Sequence, residues 1–336
     1  MKQIILNTLI LFATLVASAQ TDQYKFRRVD ISNGLSNNQV TSFLHDKTGF
    51  IWIGTSSGLN RYDGYSFKVF KNDANDTLSI ANSEVTQMFM DHEGKLWLLY
   101  HEGFNCIFDP VTEKATTDHP LFHKQVPINK QFITDMLVDK KGNLWISNSQ
   151  TGLYHYNVAT DELSLLPVNP NDAKLLSSSN ISSMAVDSEG CLWICNQHGV
   201  VEKIDSETFR VIERVRVLNA SEVGDAPYLN MFIDNDDDIW IYATNYMRGV
   251  YYYSCNAKVM RHFTSESTQW HITNNNVCCI EQDDFGLIWV GIDHGGINLI
   301  DKNNLKCLQL SHNVYDPMSL SHNSVKAMYK DNIGRI

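Results

Sequence analysis

The sequence predicts an all-β fold: a seven-bladed β-propeller of four-stranded antiparallel blades, with the seventh blade incomplete in this chain. Three observations carry this. A phrase of the form Asp-x-x-Gly-x-x-Trp recurs at near-constant spacing, short strand-like runs joined by turn residues fill each interval, and nothing long enough to be a helix intervenes. The phrase reads Asp46-Lys-Thr-Gly49-Phe-Ile-Trp52, Asp91…Gly94…Trp97, Asp139…Gly142…Trp145, Asp187…Gly190…Trp193, Asp234…Asp237…Trp240 and Asp283…Gly286…Trp289. Successive Trp residues lie 45, 48, 48, 47 and 49 positions apart. A seventh copy starts at Asp331 and passes Gly334 and Ile336 with no Trp.

The first unit shows what one repeat is. Val40 to Leu44 is strand-like, and Asp46 to Gly49 is a tight turn in which Asp bonds backbone N–H groups and Gly takes positive φ. Phe50 to Ile53 is an apolar second strand, Thr55 to Gly58 a turn, Leu59 to Tyr62 a third strand, and Phe67 to Phe70 an alternating outer strand. One such sheet of about 47 residues cannot bury both of its faces, whereas stacking sheets radially does so and leaves short, protected edges. The blades fall at about 35–75, 78–117, 129–168, 176–217, 226–264 and 272–310, with a partial seventh at 320–336. Residues 24–31 are expected to be its closing outer strand. The Trp of each phrase is expected to fill the space between neighbouring blades, so the motif specifies packing.

Residues 1–19 are set apart. Lys2, an apolar run from Ile4 to Val16 and Ala17-Ser-Ala19 predict a cleaved signal peptide, with residues 20–336 the exported propeller. The apolar run is shorter than the roughly 20 residues of a spanning helix. Hydrophobic content of 43% and charged content of 19% suit a globular domain. A net charge of −11, with only nine Arg among 27 basic residues, argues against nucleic acid as a partner. The seven cysteines show no zinc spacing and read as small buried hydrophobes. Cys191 and Cys195 lie too far apart on one extended strand, roughly 13 Å, to pair without strain.

Function is expected on loops of this rigid scaffold. In a four-strand meander the turns between second and third strands share a face with the blade-to-blade connections, and the irregular segments lie there. They are Thr244 to Arg248, Thr117 to Lys124, Ala220 to Tyr228 and Ser265 to His271. Trp270 stands outside the repeated phrase. Tyr246, Arg248, Trp270 and His271 are the candidate ligand-binding residues, aromatic and polar groups suited to sugar rings or a partner surface. The acidic run Asp234 to Asp238 occupies a turn and reads as a solvated charged turn, with calcium as the alternative. The nine Arg residues form no carboxylate-binding cluster of the kind a sialidase needs. No triad, phosphate loop or paired catalytic carboxylates stand out, so neither catalytic residues nor a metal or cofactor is expected.

Asp46 to Thr55, Gly58 to Gly64, Gly34-Leu-Ser-Asn-Asn38, Gly286 to Gly291 with Gly295 to Leu299, and Asp316 to Asn323 resemble the two-component regulator propeller repeat. The match spans nearly all of residues 24–336. It implies the sensor half of a hybrid two-component system in glycan-degrading bacteria: a periplasmic module that binds an oligosaccharide and signals to a histidine kinase within a longer, membrane-anchored parent. The implied partners are that glycan fragment, further propeller and β-sandwich modules, the kinase of the same parent, and a second copy in a homodimer. Propellers with this repeat also occur in a cell-surface component of type IX secretion, which makes a structural or secretion role the alternative. A carbohydrate-active enzyme is the third. Asp237 in place of Gly, and Leu98-Leu-Tyr100 in place of Ile-Gly-Thr, depart from the family pattern.

Overall fold

The six complete copies of the repeated phrase share two bonds to the Asp carboxylate, from the backbone N–H four residues on and from the Trp indole. In the first, the Asp46 carboxylate accepts the backbone N–H groups of Thr48 (2.8 Å) and Phe50 (3.0 Å) through Oδ1 and the Trp52 indole N–H (2.8 Å) through Oδ2. The indole bond recurs at 3.0, 3.2, 3.0, 2.9 and 2.9 Å for Trp97, Trp145, Trp193, Trp240 and Trp289. The phrase therefore ties a turn to the side chain that packs the core, in one unit of seven residues. Gly49 sits at φ 97 with nothing within 4 Å of where a Cβ would be, so conformation alone demands it there. Asp237 takes the same left-handed place at φ 60, and its carboxylate accepts the Ser188 N–H at 2.8 Å from the preceding blade's turn. That bond offsets the strain of a non-glycine residue.

These turns organise six sheets. The computed structural model describes residues 24–100, 106–119, 133–218, 228–244, 246–331 and 333–336. Blade one pairs Val40–His45, Ile51–Thr55, Gly58–Tyr62 and Phe67–Phe70 in sequence order, all antiparallel. The same order builds blade two (residues 85–116), three (133–165), four (181–216), five (229–263) and six (277–310). In blade six the strands are Val277–Gln282, Ile288–Ile292, Gly296–Asp301 and Lys306–Leu310. A Cβ on Gly296 would lie 2.2 Å from the Leu310 carbonyl oxygen, so third and outer strands meet there only over glycine.

Among the described residues six cores each hold one repeat Trp, and five of them lie between consecutive blades. Trp52 packs with Val85, Leu96 and Phe108 of blade two; Trp97 with Ile146 and Tyr154 of blade three; Trp145 with Ile181 and Ile194 of blade four. Trp193 packs with Leu229 and Ile241 of blade five, and Trp240 with Val277 and Val290 of blade six. All these rings are buried, and truncating one to Ala costs about 3–5 kcal/mol by lost burial and cavity formation. The inner strands, whose outward edges would otherwise be unpaired, hand bonds from blade to blade. Thr134 Oγ1 donates to the Ile181 carbonyl (2.8 Å), Asp135 Oδ2 accepts the Met184 N–H (2.8 Å), and Ser183 Oγ accepts the Met231 N–H (3.3 Å).

The sixth core corrects the sequence expectation. Among the described residues six four-stranded blades are present, not seven: residues 24–31 form no closing strand, and 324–329 form no inner strand. A strand needs a hydrogen-bonded neighbour, and the two middle strands that would stand between these segments are not among the described residues. The segments cover Trp289 instead. Tyr24 meets its ring edge-on at 5.4 Å, the Phe26 N–H donates to the Met318 carbonyl (2.8 Å), and Val325, Met328 and Ile336 complete the cluster. Asp331 still forms the repeat turn, accepting the Ile333 and Arg335 N–H groups at 3.1 and 2.9 Å. The Arg335 Nε–H (2.7 Å) stands where the other copies have an indole. The Tyr329 hydroxyl accepts the His45 N–H at 3.2 Å, linking this segment to blade one.

Candidate ligand site

Two ends of the ring differ in chemistry. One carries the repeated turns. The other carries the turns between second and third strands and the blade-to-blade connections, which a recurring bond clamps to the blade below. At Ser36 the N–H donates to Asn60 Oδ1 (2.9 Å) while Asn60 Nδ2 donates back to Ser36 Oγ (2.8 Å). Thr273 and Asn298 repeat this at 2.8 and 3.0 Å. In blade four Glu202 takes the Asn place, accepts the Ser177 N–H at 3.2 Å, and is held by Arg214 at 2.5 Å. Longer connections share a second device. Asp73 and Asp76, Asn169 and Asp172, and Asn313 and Asp316 each cap the backbone two residues on, at 2.8–3.1 Å.

Trp270 and His271 lie on the connection from blade five to blade six. Its backbone folds on itself, with Thr264 N–H to the Trp270 carbonyl (3.1 Å) and Ile272 N–H to the Thr264 carbonyl (3.2 Å). Trp270 packs against Phe263 and the Trp240 core, so its ring is an anchor for the connection. That anchor leaves its neighbours Gln269 and His271 on the rim of a cavity of about 340 Å³. Thr273, Asn298 and Leu305 also line it, with Cys307 and Gln309, alternate residues on one face of the outer strand. The volume is within the range of small-molecule sites, at its lower end. Tyr246 and Arg248 do not line it. They occupy the loop after the second strand of blade five, where Tyr246 is exposed and the Arg248 carbonyl meets His262 Nε2 at 2.6 Å. Tyr228 and Met247 are exposed at the same end of that blade. Residues 120–124 and 220–227 of the other irregular connections, and the 1–19 leader, lie outside the described residues.

Sequence reading reached His271 through its unusual neighbour Trp270. It missed Gln269, Cys307 and Gln309, because an outer strand of Lys306-Cys-Leu-Gln-Leu310 gives no signal of its own. The charged clusters are closed by cations from the chain itself. Lys302 Nζ lies 2.8, 2.6 and 3.1 Å from Asp234, Asp236 and Asp238, with its side chain 10% exposed. Burial opposes its charge, but these carboxylates outweigh burial and raise its pKa. Asp187, Glu189 and Cys191 are close enough for a metal, and Lys203 Nζ stands 2.8 and 3.1 Å from the two carboxylates. Asp293 pairs with Lys326 (2.7 Å) as well as with His294 (3.1 Å). All seven cysteines are unpaired; Cys106, Cys195 and Cys279 are buried as expected, whereas Cys307 is exposed.

Residues 34–57, 127–150 and 175–198 match the two-component regulator propeller family. The chain carries two-component regulator propeller repeats. An 83-residue stretch, 24% of this chain, is 37% identical to histidine kinase P4 of Formosa agariphila, and covers 6% of that kinase. The fold is that of the extracellular domain of BT3049, a hybrid two-component system of B. thetaiotaomicron, with a TM-score of 0.68 at 21% identity over 93% of this chain and 40% of that one. PorZ, a surface component of the type-IX secretion system of Porphyromonas gingivalis, is similar at TM-score 0.53 and 18% identity, over 81% of this chain and 38% of its own. Virginiamycin B lyase from Staphylococcus aureus shares the fold at TM-score 0.59 and 11% identity, over 84% and 87%. The chain thus spans well under half of the length of these two-component proteins. No helix among its described residues is long and apolar enough to cross a membrane.

Proposed function

We propose that this propeller is the ligand-sensing module of a two-component receptor, exported to the periplasm by residues 1–19, binding a glycan fragment and passing occupancy to a histidine kinase in a longer, membrane-anchored parent. The observation that carries it is the family match at three separate blades, supported by likeness to a histidine kinase and by the fold of a two-component extracellular domain. The connection face supports a binding rather than a catalytic role. Its connections are held to the blades by amide and hydroxyl bonds, and the acidic clusters lie at the opposite end, in the repeated turns, with lysines among their carboxylates.

The test is calorimetric titration of residues 20–336 with a panel of neutral, uronic and sulfated oligosaccharides, each followed by analysis of the sugar. Saturable binding without cleavage is expected. Cleavage would replace the reading with a carbohydrate-active enzyme. Binding to none of the panel, with stable association to cell-surface secretion components, would favour the structural reading that the PorZ likeness supports.

A further inference from the structure

We propose that the cavity between the blade-five-to-six connection and the outer half of blade six is the seat of one uncharged sugar residue. This rests on the glycan-sensing reading above and assigns it a place and a ligand class. The argument is a comparison of blades. In blade one the residues opposite the third strand at the corresponding positions are Phe67 and Val69. Phe67 stacks on Tyr62 at 4.5 Å and lies 3.7 Å from where a Cβ on Gly34 of the connection would be, and Val69 abuts Gly58. The space is filled. In blade four Arg214 spans it, bonded to Glu202 and to the Leu175 carbonyl, both at 2.5 Å. In blade six the corresponding residues, opposite Ile300 and Asn298, are Cys307 and Gln309. A thiol in place of a phenyl ring, and a side chain held only by a 3.3 Å bond to the Gly295 carbonyl, leave the opening.

The lining selects the ligand. Gln269, His271, Thr273, Asn298 and Gln309 offer amide, imidazole and hydroxyl groups, and no Lys, Arg, Asp or Glu lines the cavity. A sulfate or uronate would enter without a partner charge, at a desolvation cost that hydroxyls do not incur. Hydroxyl groups instead match amides that both donate and accept. The clamped connection keeps the rim in place, so ordering cost on binding is small.

Cys307 is the probe the molecule supplies. It is the exposed cysteine, and the remaining six are buried or half-buried. Residues 20–336 would be labelled with a maleimide, with and without saturating neutral trisaccharides built from glucose, mannose or xylose, and the label located by peptide mass spectrometry. A binding trisaccharide should slow labelling at Cys307 several-fold and leave the other sites unchanged. Cys307→Phe, which gives blade six the side chain of blade one, should abolish that binding with its melting temperature kept. His271→Ala and Gln309→Ala should each weaken it roughly tenfold, and they decide the matter if the Phe variant fails to fold. Neutral sugar bound with Cys307 unprotected and all variants binding as wild type overturns this site and leaves the sensing reading standing. Binding of sulfated or uronic sugars alone overturns the ligand class assigned here. Binding of no saccharide overturns both readings.

Discussion

Asp46 shows how one side chain can fix both a turn and a core. It is nearly buried, and burial by itself would raise its pKa; the bonds from Thr48, Trp52 and Phe50 outweigh that and hold the carboxyl below its ordinary value. A folded pKa below the unfolded one contributes stability that is present above about pH 4 and lost as pH falls through the folded value. Trp52→Phe removes the partner of Oδ2 and should cost roughly 1–3 kcal/mol beyond lost packing. Its acid unfolding, followed by circular dichroism, should begin at a higher pH than that of wild type. Asp135 behaves oppositely. It lies half-buried on the first strand of blade three, near Tyr242, and burial raises its pKa to about 7 despite the Met184 and Met136 N–H bonds and Ser183. Here the charged form is the disfavoured one in the folded state, so its penalty grows as pH rises from about 4 to 7. Asp135→Asn should therefore gain melting temperature relative to wild type across that window. A difference independent of pH would show that the carboxyl is not shifted.

At the scale of the element, the blade was legible because its turns are written in the sequence. Asp and Gly at fixed spacing, a Trp three residues after Gly, and Gly at the start of the third strand left little freedom in register, and the six sheets pair accordingly. What was not legible were bonds between residues far apart. The acidic run Asp234 to Asp238 reads as a solvated turn or a calcium loop until Lys302, 64 to 68 residues later, is seen among its carboxylates. Removing a nearly buried ammonium from three carboxylates should be severe: Lys302→Met is expected to lose about 3–5 kcal/mol in urea unfolding. Millimolar calcium should leave the wild-type melting temperature unchanged and raise that of the variant. A calcium-stabilised wild type would show that the lysine gives way to the ion. The cavity in blade six was illegible for a related reason. It exists because Cys307 and Gln309 are not Phe67 and Val69, a difference that means something only once the strands are superposed as repeats.

For the whole molecule, the periodic Trp residues placed the packing between blades, which five of the six bear out, and the number of blades was one too high. The seventh Asp-x-x-Gly makes its turn, but a turn is a local structure and a sheet is not. The residues expected to close a seventh blade instead lie over Trp289, pairing the N-terminal Tyr24 and Phe26 with Leu320, Val325 and Ile336. Tyr24→Ala with Phe26→Ala should lower stability by roughly 2–5 kcal/mol and shift Trp289 emission to the red, with the other five cores retaining their hydrogen-exchange protection. Loss of protection spread evenly over all blades would mean that the ring melts as one unit.

That seat over Trp289 also sets a clock. Five of the six cores join blades that are neighbours in sequence, so each can condense as soon as some 50 further residues have left the ribosome. The sixth joins residue 24 to residue 336, the widest sequence separation of the six, and must wait for both. Until residues 24–26 and 320–336 meet, the Trp289 face of blade six stays uncovered, and limited proteolysis of the refolding chain is expected to cut first in those two segments.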